Sequence, residues 1–271
     1  MALEIKVLDL GDIDIEPSFL VLGRTLDTTV RVPTFGYLII GGEAPVLVDT
    51  GYRYHRTGVR SEEQSLEKQL GDHGFSLEDV PYILHTHLHI DHAGQDDRFP
   101  METTVVVNRH ELEFSASGLM GRMYPAEDTK HLIDRLHTPG ALRLLDLEFT
   151  GPEEIIPGVR CEHAGGHTPG SMNVLVDTAE GTACICGDVI YDVQHQVVEP
   201  FEEVLAFEPT PTGNHGTSKR EVRAAIKKVL RQNSFICPSH DRPVRVQRGR
   251  IVGRLHDSVP GTVMPIETTA S

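Results

Sequence analysis

Residues 85–92 read HTHLHIDH, four histidines and an aspartate in eight positions. The run directly follows the apolar stretch PYIL, which predicts a buried strand, so these donors emerge where that strand ends. In an extended segment positions i and i+2 face the same way, which aims His87 and His89 at one point. A turn beginning at Asp91 would aim Asp91 and His92 at a second point. Neutral imidazoles and a carboxylate are ordinary ligands for Zn²⁺ and similar ions. Four ligands from one loop do not close two metal sites, so the fold has to bring further donors from other strand ends.

Three candidates have that placement. His167 lies in GGHTPGS, a Gly/Pro turn between two strand-like runs; Asp188 lies in CICGD, where a strand runs out into a glycine; His240 lies in CPSHD, again just after an apolar run. Loops at the ends of buried strands are where chemistry concentrates. Asp49, in LVDTG, lies before a glycine at the end of an apolar run. His85, His163 and His195 lie close to these motifs without a place in them.

The remaining chain reads as strands with helices inserted. EIKVLDL, FLVLG, YLIIGG, PVLVDTG and TTVVV predict strands in the first half, and VRCEH, MNVLVDT, TACICGD and SFICP in the second. SEEQSLEKQLGDHG (61–74) predicts one helix capped by Ser61 and Gln64 and ended by Gly74. SKREVRAAIKKVLRQ predicts another, capped by Ser218 and Glu221, with Val222, Ala225, Ile226 and Val229 on one face. Residues 114–140 are the least strand-like and form a candidate lid or insert. No low-complexity linker interrupts the chain, so residues 1–271 are expected to form a single domain built of two related halves.

Composition narrows the partners. The 271 residues carry a net charge of −15, which argues against nucleic acid and against an anionic membrane surface. No secretory signal or transmembrane span is expected, and the four cysteines (161, 184, 186 and 237) fit buried free thiols, so the expected location is cytoplasmic. A small-molecule substrate is the expected partner, and a homodimer is left open.

In this order the motifs THLHIDH, GHTPGS, GD and SHD, preceded by LVDTG, resemble the metallo-β-lactamase superfamily over residues 47–241. The resemblance implies an α/β (α+β) fold, a four-layer αββα sandwich, with two divalent ions per chain between its sheets. It implies one ion held by His87, His89 and His167, a second by Asp91, His92 and His240, and Asp188 bridging them together with a hydroxide. Zinc is the expected metal, and these ligands also accept iron, manganese or cobalt. Asp91 would assist proton transfer. Penicillin-cleaving members commonly carry a cysteine at the position of Asp188. Glyoxalase-II-like members have a C-terminal helical region for which too few residues follow His240, and RNA-processing members have basic surfaces. What remains is similar to the N-acyl-homoserine lactone hydrolases. In them a tyrosine three residues beyond the bridging aspartate, here Tyr191, hydrogen-bonds the lactone carbonyl or its oxyanion. The resemblance therefore implies lactone opening, with Leu119, Met120, Met123 and Tyr124 as one candidate acyl groove and SFLVLGRTL as another wall. The alternative is another small-molecule hydrolase on the same centre, acting on a different lactone, an isothiocyanate, an amide or an ester. The turn HAGGHTPG and the segment 208–219 depart from the family pattern, and they bear on the substrate more than on the metals.

Overall fold

The computed structural model describes residues 2–53, 58–59, 61–202, 208–214 and 216–266. The first half supplies strands β1 (Glu4–Ile15), β2 (Val30–Ile40), β3 (Val46–Val48), β4 (Gly58–Val59), β5 (Tyr82–Leu84), β6 (Thr104–Asn108) and β7 (Leu142–Leu145). The second supplies β8 (Glu153–Ile156), β9 (Val159–His163), β10 (Met172–Thr178), β11 (Gly181–Gly187), β12 (Phe235–Pro238), β13 (Val244–Gln247) and β14 (Arg250–Arg254), before β15 (Ser258–Val259) crosses back. One sheet runs β15-β1-β2-β3-β5-β6-β7, with β4 also on β1, and the other runs β14-β13-β12-β11-β10-β9-β8. The helices are α1 (Pro17–Leu20), α2 (Leu66–Gly71), α3 (Arg109–Ser115), α4 (Ala126–Leu136), α5 (Leu147–Thr150), α6 (Glu199–Glu202) and α7 (Lys219–Gln232).

The layering follows from side-chain alternation along the strands. Phe35, Tyr37 and Ile39 of β2, Val46 and Val48 of β3, and Met172, Val174 and Val176 of β10 all enter one core between the sheets, together with Phe235 and Cys237 of β12. The intervening Leu38, Leu47, Ile83 and Val105 face outward onto Leu66 and Leu70 of α2, Leu112 of α3 and Leu132 of α4. On the other side Leu175, Cys184, Cys186 and Ile236 face Val222, Ala225, Ile226 and Val229 of α7. Strands apolar on both faces need cover on both faces, and helix–sheet–sheet–helix is the arrangement that provides it. The four cysteines are free and buried in these layers. Among the described residues no helix is long and apolar enough to cross a membrane.

Two local expectations fail. FLVLG is not a strand: residues 17–20 form α1, because Pro17 presets the helical φ at its first position and Val21 N–H closes the turn onto Pro17 O at 3.0 Å. The single helix over 61–74 splits at Ser65, whose extended backbone (ψ 144°) ends a 3₁₀ turn over Glu62–Gln64 and caps α2 by accepting from Lys68 N–H. Within 114–140, α4 is anchored in the core by Leu132 and by the buried Arg135.

Candidate metal centre

The donors collect at one end of the sandwich because the strands that carry them finish there. β3, β5 and β6 run parallel, as do β11 and β12. The loops after β3, β5, β11 and β12 carry Asp49, residues 85–92, Asp188 and His240, and the β9–β10 turn carries His167. The sheets are tied together at this end: Met172 N–H donates to Thr86 O at 2.8 Å, Phe35 N–H to Ser239 O at 2.8 Å, and the Tyr37 hydroxyl to Pro238 O at 2.5 Å.

All seven candidate ligands are buried and form two abutting groups, His87/His89/His167/Asp188 and Asp91/His92/His240. In the first, His87 Nε2 and His167 Nε2 each lie 3.0 Å from His89 Nδ1. Asp188 connects the groups. Its Oδ2 is 3.6 Å from His87 Nε2 and 3.5 Å from His167 Nε2, while its Oδ1 is 3.3 Å from His92 Nε2 and 3.4 Å from His240 Nε2. Asp91 Oδ2 stands 3.2 Å from His240 Nε2. The structure thus brings together every residue proposed as a ligand.

Polar atoms buried without hydrogen bonds are costly, and among the described residues most of them cluster at this centre. Both oxygens of Asp188, Oδ1 of Asp91 and Nε2 of His92 and His240 have no hydrogen-bond partner among the described residues. A pair of divalent cations would satisfy the oxygens of Asp188 and the two imidazole nitrogens, and nitrogen and carboxylate donors suit zinc and its neighbours. Electrostatics separates the two groups. Burial, reinforced by neighbouring imidazoles, keeps His87 and His89 far below the usual histidine range, and His167 at about 4, so these rings are neutral. Burial disfavours the charged form of His240 and His92 as well, but Asp188 and Asp91 outweigh it, holding His240 at about 9 and His92 well above its usual value.

A surrounding set of hydrogen bonds fixes the ligands. Asp49, at a left-handed φ of +60°, accepts from Thr86 N–H at 2.9 Å, the Thr86 hydroxyl at 2.7 Å and His92 Nδ1–H at 2.9 Å. His240 Nδ1–H donates to Pro33 O at 2.8 Å. Gly187, at φ +52°, has to be glycine: a Cβ there would lie 2.5 Å from the Thr86 hydroxyl. Tyr191 is buried with its ring stacked on His240 (centroids 5.0 Å apart, planes at 10°) and edge-on to His167. Gln196, in a π-helical turn over residues 194–198, accepts from Tyr191 N–H at 2.6 Å and so holds the backbone that carries this ring.

Motif reading misses Glu111. Its carboxylate is buried on α3, accepting from Leu88 N–H at 3.0 Å, the Tyr124 hydroxyl at 2.9 Å and the Thr168 hydroxyl at 2.6 Å. It therefore clamps the His87–His89 loop to the His167 loop, and a lone glutamate in RHELEFS gives no local sign of this. His85 is buried between Asp49 and Asp96, and is not a ligand in either group. His163 Nε2 meets Pro169 O, and His195 pairs with Asp192. Of the proposed groove residues, Tyr124 and the two methionines pack on the outer core, while Leu119 is 61% exposed.

Known proteins resemble this chain in sequence and in fold. An N-acyl homoserine lactonase of Bacillus sp. is 31% identical over 207 residues, covering 70% of this chain and 73% of the relative. The N-acyl homoserine lactonase AiiB of Agrobacterium fabrum is 27% identical, covering 65% and 72%. Among solved structures, a probable metal-dependent hydrolase from Staphylococcus aureus superposes with a TM-score of 0.70 at 18% identity over 99% of each chain. AidC, a dizinc quorum-quenching lactonase, gives 0.66 at 18% identity over 99% and 96%. The sequence profile of the metallo-β-lactamase superfamily matches residues 29–240, which takes in every candidate ligand, and the chain belongs to that superfamily.

Proposed function

We propose that this chain is a dinuclear metallohydrolase that opens the lactone ring of N-acyl homoserine lactones. The observation that carries the metal centre is Asp188, whose two carboxylate oxygens face the two ligand groups separately. The lactone reading is supported by the curated relatives named N-acyl homoserine lactonase and by Tyr191 beside His240. His87, His89 and His167 would hold one ion and Asp91, His92 and His240 the other, with Asp188 between them. We read the metal as zinc. Two divalent ions supply at such a site an acidified water as nucleophile and a Lewis acid for the carbonyl.

The chain's own residues do the remainder. Tyr191 is held by stacking and by its backbone bond to Gln196, and it donates its phenolic hydrogen to the carbonyl oxygen as negative charge develops there. Burial, followed by Asp188 and Asp91, pushes that phenol far above its usual range, so it stays a donor. Asp91, with Oδ1 unpartnered, takes the proton of the attacking water and returns it to the departing ring oxygen. A cleft of about 470 Å³ opens beside the ligand loop, lined by Tyr52, Ile90, Met123 and Pro125, and would take the acyl chain. It shares Met123 with the groove expected from the sequence and is otherwise built of different residues. Any covering role in 114–140 falls to residues 116–125, since α4 is anchored.

The test is hydrolysis of short- and long-chain N-acyl homoserine lactones by metal-loaded protein of measured metal content. Ring opening at two ions per chain is the expected result, and Tyr191→Phe should lower kcat about tenfold or more, on the scale of a lost oxyanion donor. Turnover of esters or amides with no lactone opening would overturn the substrate assignment.

A further inference from the structure

His85 does not belong to the ligand motif, yet it is buried one turn of chain away from it with both ring nitrogens committed. Nδ1 lies 3.3 Å from Asp49 Oδ1, and Nε2 lies 2.8 and 3.0 Å from the two oxygens of Asp96. Neither carboxylate can donate when ionised, so the imidazole donates at both ends and separates two buried negative charges. Asp96 is itself fastened: its Oδ1 accepts from the Thr50 hydroxyl at 3.0 Å, and its backbone carbonyl accepts from the buried Arg135 of α4 at 3.0 Å. At the other end, Asp49 Oδ2 accepts from His92 Nδ1–H at 2.9 Å, and the opposite nitrogen of that ring is the one aimed into the centre.

The side chains form a continuous line, Asp96–His85–Asp49–His92, running from the first-sheet helix layer to a ligand nitrogen. Asp49 pays for its place with a left-handed backbone at φ +60°, a conformation that persists only where surrounding bonds over-determine it. Its bond to His92 is direct. Among the described residues its hydrogen bonds toward the other ligand group go to Thr86, through the backbone N–H and through the hydroxyl that lies 3.2 Å from His87 Nδ1.

We infer that His85 and Asp96 form a positioning pair that acts through Asp49 on His92, and so governs the Asp91/His92/His240 half of the centre far more than the His87/His89/His167 half. The inference rests on the two-ion reading above. Partners of metal-bound histidines typically influence metal affinity by about 10–100-fold when removed. Here that loss would fall on one of two ions.

The test is stepwise zinc uptake by the full-length apoprotein, read by competition with a chromophoric chelator. His240→Ala, which deletes a donor of one half, marks which step belongs to that half. His85→Ala should weaken the marked step by about tenfold or more and leave the other within about threefold. His85→Gln should restore part of the loss, since an amide can still bridge one carboxylate. If His85→Ala does not fold, Asp96→Asn supplies the same readout with the imidazole retained. Equal weakening of both steps, or no change in either, overturns the inference alone. A wild-type chain that takes up fewer than two ions overturns the dinuclear reading beneath it.

Discussion

His240 and His92 face Asp188 and Asp91 closely enough to hold protons at neutral pH in the metal-free chain, whereas His87, His89 and His167 do not. The sign has a consequence for loading. A metal ligand has to be deprotonated, so below a pKa of about 9 an ion binding His240 displaces its proton. Zinc uptake at pH 7 should release protons at the step that fills the Asp91/His92/His240 half and few at the other. Calorimetric titration in buffers of different ionisation enthalpy reads that release directly, and equal release at both steps would contradict it. Single residues were legible in proportion to their company. The four donors of THLHIDH announce one another, while Glu111 and Asp96 are ordinary acidic residues until folding buries them against the ligand loops.

At the scale of elements, strands are legible where both faces are apolar, because a short continuous apolar run bounded by turn residues fits a strand covered on both sides. The errors fell where one residue overrides its neighbours, as Pro17 does in turning an apolar run into α1 and Ser65 in starting a new helix. The β9–β10 turn carries His167 and lies directly on α3. A Cβ at Gly170 would come within 2.1 Å of Glu111 N, an overlap of backbone that no rotamer relieves. Gly170→Ala should therefore push the turn off α3 and break the Thr168–Glu111 bond, destabilising the fold by about 1–3 kcal/mol. Urea unfolding of the metal-free variant measures this, and an unchanged midpoint would show that the turn yields freely.

Across the whole molecule the centre is a junction between layers. His87, His89, Asp91 and His92 hang from the first sheet, and His167, Asp188 and His240 from the second. Ions bound to both would cross-link the sandwich at its open end, and a ligand bound only by the folded state adds about 4 kcal/mol at a thousandfold excess over Kd. For a chain of this length each kcal/mol moves Tm by about 2–4 °C, so chelation should lower Tm by roughly 8–16 °C. Differential scanning calorimetry with and without chelator checks it, and an unshifted Tm would mean that the donors hold no ion.

The sequence by itself determined the candidate donors and the apolar strands. Ligand type is local chemistry, and two-faced apolar strands have few ways to be covered. Only the tertiary structure decided the distances at which Asp188 faces both groups, and that His85 and Glu111 stand behind the ligands. Those are distances between residues far apart in the chain, set by strand register and by packing of the two sheets. No spacing along the sequence encodes them.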